Sequence, residues 1–543
     1  MPVIDIQYDE LKQLSGLEKD KEWFIERIPM TGASFEGIEG KALRFEFFPN
    51  RPDHYSVEGI ARTMKSLYSE STALPEYGAS PGQYALSVDE TTKDIRPVIV
   101  GAVIKNLEFS QGMLKSLIDL QEKLHLTIGR KRRKVAIGIH DMSAITFPLK
   151  YASYAGAAYS FSPLGFDREM TLSQIIAEHD KGQEYGWIVG GGPYPLITDA
   201  AGRVLSMPPI INGNMTQLTD RTRDVFIDVT GTSEEACSGV LNIISTALAD
   251  RGGSICDVTI ESGGRKRKTP DLNRRAVDVS LRSMNEMLGV SIDGNLAIRL
   301  LRRMGHFCEL KGEKIEVRVQ PFRMDIMHPV DIIEDAAISY GYDNFGVSPP
   351  ASQTVGGLTR MTSASELVSE IMIGYGYSQV ITFMISGTHS EFDRMLRPES
   401  ESVGILNPVL EESNILRLSL LPGMLLLLEA NKHNELPQRI FEIGDVHRPV
   451  RTRYFAAVSI HPKATFAEIK SLADAIGRDL KLGLKMGESR DARFIEGRQM
   501  SISRDGEAVG IFGELHPEVI TNFNLYNPIV ALEMDLDKAL RLR

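Results

Sequence analysis

The chain has only three cysteines in 543 residues, Cys237, Cys256 and Cys308. They are odd in number and widely spaced, which excludes a disulfide framework and a cysteine-ligated zinc site. Long apolar runs are also missing. None approaches the roughly 18 residues that a membrane-crossing helix needs, and the greasiest stretch, 418–428, is interrupted by Ser419, Pro422 and Gly423. The opening MPVIDIQYDELKQL carries acids where a secretory signal carries basic and apolar blocks. There is no internal repeat and no low-complexity tract. Positive charge is in deficit: a net charge of −11 argues against general nucleic-acid binding. These absences predict a cytoplasmic chain that crosses no membrane. Two clusters run against the overall charge, RKRRK at 130–134 and RKRK at 265–268. Such runs serve either phosphate contact or a solvated loop or strand edge.

What is present is an ordinary globular composition, 42% apolar and 24% charged, with length for about three to five domains. Residues 1–90 begin with a strand at Val3 and a helix at Tyr8. They continue to PNRPDHYSVEGIARTMKSLY (49–68), a turn followed by a helix with Ile60, Met64 and Leu67 on one stripe. Residues 74–82 read as a linker. Their formal G-x-S-x-G match is rejected, because Pro81 follows the serine and no strand–helix frame surrounds it. Residues 91–265 read as a mixed α/β domain, with a capping box from Thr232 to Glu235. Residues 270–348 read as two helices (274–288 and 296–304), a strand (314–320) and an acidic helix, a winged-helix-like module. Ser348-Pro349-Pro350 punctuates the next boundary. Residues 355–543 open with a capping box from Ser363 to Glu366 and continue mostly as antiparallel strands. The fold class is therefore α+β and multidomain.

The densest chemistry lies at 322–345, FRMDIMHPVDIIEDAAISYGYDNF. Pro329 suits a first helical position. Asp331, Glu334 and Asp335 then share one face within a turn, and Asp325 can fold back toward them. The positive helix start offsets part of their repulsion. The rest calls for a hard cation, magnesium or calcium rather than zinc, or for arginines beside solvated acids.

Seven blocks in order carry a family resemblance: PNRPDHYSVEGIAR (49–62), LQEKLHLTIGRKRRKVAIGIHD (120–141), MPPIINGN (207–214), the acidic segment, NILRLSLLPGMLLLLEANKH (414–433), RIFEIGDV (439–446) and GELHP (513–517). Over nearly its whole length the chain resembles the beta subunit of phenylalanine–tRNA ligase in its shorter archaeal/eukaryotic form. The resemblance implies an alpha subunit that uses ATP to activate phenylalanine and charge tRNA(Phe), in an (αβ)2 tetramer. It places magnesium on Asp325, Asp331, Glu334 and Asp335. It implies an editing domain at 91–265 that hydrolyses tyrosyl-tRNA(Phe), because a phenylalanine pocket rejects an added hydroxyl only about 10²-fold. The editing candidates are Ser206, Asn212, Asp228 and Thr230. Asn212 can equally serve its turn, and Asp228 with Thr230 can equally cap the following helix. Arg130, Lys131, Arg132 and Arg133 are candidates for tRNA phosphates. His140 and Asp141 read as a packed strand end, with a pocket lining as the alternative.

Residues 355–543 would then be a class II synthetase-like domain without catalytic residues. Arg439 only partly echoes one ATP-binding arginine, and GIFGE (510–514) lacks a following arginine, so the bidentate phosphate clamp is missing. A free-standing hydrolase of mischarged tRNA and a scaffold with a dead editing site are the competing readings.

Overall fold

The strands Val98–Lys105, Val135–Asp141 and Val225–Gly231 are nearly continuous apolar runs, the pattern of strands covered on both faces. Val225–Gly231 lies between the other two and pairs antiparallel with each along its full length. They form one end of a ten-stranded mixed sheet. Its order runs from Ile211–Asn212 through Val204–Met207, Tyr194–Thr198, Leu149–Tyr154, Ser80–Val88 and Ser254–Ser262 to these three, with Val135–Asp141 last; the tenth strand, Arg265–Thr269, pairs with Ser254–Ser262 off this path. Helix Glu234–Ala249 buries Val240, Leu241, Ile244 and Leu248. The two ends of the strand order line one cavity, so the sheet curls around it.

The computed structural model describes residues 2–69, 74–349, 354–448 and 450–541. The chain divides into two compact units, Met1–Ser348 and Pro349–Arg543; Pro350 of the expected boundary lies outside the described residues. In the first unit, a three-stranded sheet (Val3–Gln7, Ala42–Phe47, Ala33–Glu39) precedes helix Val57–Tyr68, capped by Ser56. A second three-stranded sheet orders Arg275–Ser280, Lys314–Val319 and Phe307–Lys311. It shares a core of Val279, Leu301, Val317 and Ile332 with helices that include Pro329–Tyr340.

Several local expectations shift. Residues 80–82 are not linker: Ser80–Val88 is a strand running parallel to Ser254–Ser262 and Leu149–Tyr154. The helix after Val225–Gly231 is capped by Ser233, not Thr232, because the Thr232 N–H is engaged by the Lys134 carbonyl. The expected helix at 274–288 is strand Arg275–Ser280 followed by helix Leu281–Leu288; RAVDVS alternates and pairs with Lys314–Val319. Helix Arg360–Gly374 starts at the Thr359 cap, ahead of Ser363.

The second unit is a seven-stranded sheet, antiparallel except for its first pair, ordered Ser378–Gln379, Gln438–Arg448, Val450–Ile460, Ile529–Asp535, Glu507–Leu515, Phe494–Arg504 and Lys485–Glu488. Strand alternation sends Phe455 and Ala457 to one face, under helices Arg360–Gly374 and Phe466–Asp479. It sends Ala456 and Val458 to the other, under helix Leu421–Ala430. The greasy 418–428 run is thus largely a core helix.

Candidate functional site

The four candidates Ser206, Asn212, Asp228 and Thr230 come from strands far apart in sequence, and all four line one cavity of about 300 Å³. Asp228 and Thr230 are two residues apart on one strand and so share its face. Ser206 and Asn212 pair across the hairpin at the opposite end of the sheet. Asp228 is buried, and its Oδ2 stands 2.8 Å from His140 Nε2; His140 Nδ1 stands 2.7 Å from Thr216 Oγ1. A carboxylate only accepts, so Nε2 carries the imidazole proton and Thr216 donates to Nδ1. His140 is fully buried, and its ring links Asp228 to Thr216. Opposite Asp228 lies Gly138, where a Cβ would come within 2.1 Å of the carboxylate. Ser206 Oγ is buried and has no hydrogen-bond partner among the described residues.

Helix Gln111–Leu126 supplies another wall through Gln121 and Glu122. His125 Nε2 accepts from the Ile137 N–H at 2.9 Å, so its proton sits on Nδ1 and is donated to Glu122 at 3.2 Å. That hydrogen bond, with Arg132 close by, holds the Glu122 carboxyl down to about 2. Arg130, Lys131 and Arg132 all have left-handed backbone, with φ of 48°, 54° and 64°. The turn separates the cationic run. Arg132 folds inward, donating to the Ile210 carbonyl at 3.0 Å and to Glu122 at 2.9 Å, and lines the cavity. Arg130, Lys131 and Arg133 remain exposed. The other run, 265–268, is neutralised: Lys266 pairs with Glu261, Arg267 with Glu234 and Lys268 with Asp257.

The acidic segment forms the expected helix start at Pro329, but its acids do not converge on one point. Asp331 Oδ2 accepts the backbone N–H groups of Met327 at 2.8 Å and His328 at 2.7 Å, capping the helix. Asp325 takes Arg323 Nε at 2.9 Å and Nη2 at 2.8 Å. Asp335 is buried, 2.8 Å from Arg323 and 2.6 Å from His306 Nε2. Glu334 is exposed. Burial alone would raise the Asp335 carboxyl; Arg323 and the His306 hydrogen bond hold it well below the usual range. Among the described residues, no group of three or more His, Cys, Asp or Glu is placed to hold a metal ion. Asp325 and Asp335 thus join a buried ion network centred on Arg323, with Asp331 at the helix cap and Glu334 exposed. Nearby Arg51 makes a bidentate pair with Asp53, at 2.9 and 2.8 Å, which ties the 49–62 block into the same region.

In the second unit Arg439 lies 3.5 Å from Glu468 and is partly exposed. Glu391 is fully buried, receives the Leu418 N–H at 3.3 Å, and is pushed up to about 7 by burial. Ile381, Phe383, Leu406 and Val409 are exposed apolar residues on segments hydrogen-bonded to one another through 384–386, 403–405 and 414–417.

Among the described residues no helix is long and apolar enough to cross a membrane. Residues 347–536 match the phenylalanyl tRNA synthetase beta chain CLM domain, and residues 277–342 match the tRNA synthetase B5 domain. The chain is 42% identical over 541 residues to the phenylalanine–tRNA ligase beta subunit of Archaeoglobus fulgidus, spanning 99% of this chain and 98% of that one. It is 40% identical over 542 residues to the corresponding subunit of Methanococcoides burtonii, spanning 99% and 100%. An N-terminal fragment of the Pyrococcus horikoshii phenylalanyl-tRNA synthetase beta-subunit, known from its crystal structure, matches 63% of this chain over 100% of its own length, with TM-score 0.61 and 37% identity. With relatedness of this degree from end to end, the chain belongs to the family of phenylalanine–tRNA ligase beta subunits.

Proposed function

We propose that this chain supports an alpha subunit in the ATP-dependent attachment of phenylalanine to tRNA(Phe), and hydrolyses tyrosine wrongly attached to that tRNA. The observation that carries the hydrolytic part is Ser206. Its buried hydroxyl has no hydrogen-bond partner among the described residues, and the residue lines the cavity that Asp228 also lines. Leaving such a group unsatisfied costs about 1–3 kcal/mol. A tyrosine hydroxyl recovers that cost and phenylalanine does not. A site built to bind a hydroxyl separates the two far better than a site asked only to exclude one. Asp228 orients the attacking water, with His140 fixing its carboxylate.

Around this reading we place the remaining parts. The domains are taken as 1–90, 91–265, 270–348 and 355–543, with Ser80–Val88 assigned to the second, editing-like domain because it pairs inside that sheet. The third is the winged-helix-like module and the fourth the class II synthetase-like domain without catalytic residues. Arg130, Lys131 and Arg133 meet tRNA phosphates, while Arg132 belongs to the cavity wall. The apolar strip of Ile381, Phe383, Leu406 and Val409 docks the alpha subunit in an (αβ)2 tetramer, in the cytoplasm. Magnesium accompanies ATP at the alpha subunit. At the acidic helix, a hydrated ion would be met by Glu334 and Asp331, the two acids that do not pair with Arg323.

The test is phenylalanine-dependent ATP–pyrophosphate exchange by the chain alone and with its alpha subunit, followed by deacylation of tyrosyl-tRNA(Phe) by the complex. Exchange only in the complex, with deacylation lost in Ser206→Ala and Asp228→Ala, is the expected result. Full deacylation without a partner would favour the free-standing hydrolase. Deacylation unchanged in both variants would leave a scaffold.

A further inference from the structure

Arg96 is among the largest fully buried side chains of the molecule, 1% exposed. Its partners are a hydroxyl and two carbonyls rather than a carboxylate. Nε donates to Thr230 Oγ1 at 2.8 Å, Nη2 to the Thr230 carbonyl at 2.6 Å and Nη1 to the Arg133 carbonyl at 3.3 Å. The Arg96 carbonyl is itself fixed by the Tyr151 hydroxyl at 2.9 Å. A buried cation held only by neutral acceptors is costly, and this one stands directly behind a residue of the cavity wall.

Hydrogen-bond polarity decides what the contact does. A guanidinium donates and never accepts. Thr230 Oγ1 must therefore accept from Arg96, and its own proton is left over. Among the described residues no acceptor takes that proton. The charge-assisted bond also makes the hydroxyl a stronger donor.

We infer that Arg96 is a positioning residue for hydrolysis in this cavity: it fixes the Thr230 hydroxyl as a donor to the oxyanion of the reacting ester. The inference rests on the hydrolytic reading above. Water bonds to the ester carbonyl carbon as the C=O pair moves onto oxygen. That oxyanion accepts from Thr230, and the water's proton passes to Asp228. Collapse of the adduct breaks the bond to the ribose oxygen, which takes the proton back, releasing tyrosine and uncharged tRNA.

The experiment uses the complex with its alpha subunit and steady-state deacylation of tyrosyl-tRNA(Phe) by Thr230→Val, Thr230→Ser, Arg96→Met, Arg96→Lys and the Arg96→Met/Thr230→Val pair. Phenylalanylation serves as the folding control. Loss of one oxyanion donor predicts a kcat about 10²-fold lower in Thr230→Val, with KM within about twofold. Thr230→Ser retains activity, Arg96→Met loses kcat in the same direction, and the pair is no worse than Thr230→Val alone. A rise in KM at constant kcat, additive losses in the pair, or full activity of Thr230→Val overturns the inference. Thr230→Val leaves the buried charge in place, so it decides the matter even where Arg96→Met does not fold. Failure of the parent reading looks different: Ser206→Ala and Asp228→Ala would then also deacylate at the full rate.

Discussion

Replacing Arg323 by methionine separates a guanidinium from a metal as the counter-charge of the acidic segment. Arg323 is buried and bonds to Asp325 at 2.9 and 2.8 Å and to Asp335 at 2.8 Å. Methionine fills comparable space without charge, leaving Asp335 with His306 alone. Removing one partner of a buried ion pair costs about 3–5 kcal/mol, a loss on the order of 10 °C in melting temperature for a domain of this kind. The assay is thermal unfolding of wild type and variant, each in EDTA and in millimolar magnesium. Wild type is expected to lose far less on going from magnesium to EDTA than Arg323→Met loses in either buffer. The sign with pH follows from the depressed Asp335 carboxyl. The stabilisation is present above the ordinary carboxylate value of about 3.8 and is lost as pH falls toward and through the lower native value. The variant's acid unfolding flattens in that window. EDTA destabilising wild type as much as the mutation does, or magnesium restoring Arg323→Met, would refute the argument.

Gly138→Ala drives a methyl group to within 2.1 Å of Asp228 Oδ2 and 2.8 Å of His140 Nε2. It should lower deacylation of tyrosyl-tRNA(Phe) by at least about tenfold while phenylalanylation by the complex is retained; equal loss of both activities would contradict this. Glu391 binds its proton more tightly in the native state, about 7 against an ordinary 4.5. Its contribution is therefore full below about pH 4.5 and lost as pH rises through 7, about 3 kcal/mol in all. Urea unfolding should find Glu391→Gln more stable than wild type above pH 8 and nearly flat between pH 5 and 8, whereas a flat wild-type profile would remove the premise. Alanine at Arg130, Lys131 and Arg133 should weaken tRNA binding and lower the salt slope by about 0.7–0.9 for each phosphate no longer neutralised. An unchanged slope in filter binding would place the tRNA elsewhere.

Much of the fold was legible because the strand signals were strong. Pro97–Lys105 reads as an apolar strand, Val225–Val229 as an alternating one, and Cys237, Val240, Leu241, Ile244 and Leu248 as one helical stripe; strands Val98–Lys105 and Val225–Gly231 and helix Glu234–Ala249 follow. The errors came where a local signal competed with a ladder. Thr232 is a good cap in isolation, yet its N–H belongs to Lys134, so the cap moves to Ser233. The four editing candidates follow from the family resemblance, and nothing local says that Ser206 and Asp228 line one cavity. That depends on the sheet curling until the ends of its strand order share a cavity. Gln121, Glu122, Thr216 and the inward role of Arg132 were missed for the same reason. Gly138 was the available clue, since a glycine inside an otherwise apolar strand marks a close approach.

The charged runs show why spacing alone leaves charge chemistry open. The acidic helix start has spacing compatible with a hard cation, yet Arg323 and His306 reach it from other elements and satisfy Asp325 and Asp335. The same test divides the two basic runs. RKRK at 265–268 meets Glu234, Asp257 and Glu261 across its own hairpin and neighbouring helix, so its field is largely cancelled. In RKRRK at 130–134, only Arg132 meets an acid, Glu122, among the described residues, and the left-handed turn leaves Arg130, Lys131 and Arg133 exposed. In a chain of net charge −11, a cationic patch attracts phosphate only where the fold withholds counter-ions. By that criterion we propose the first basic run, whose Arg132 lines the Ser206–Asp228 cavity, as the place where a tRNA end is guided in.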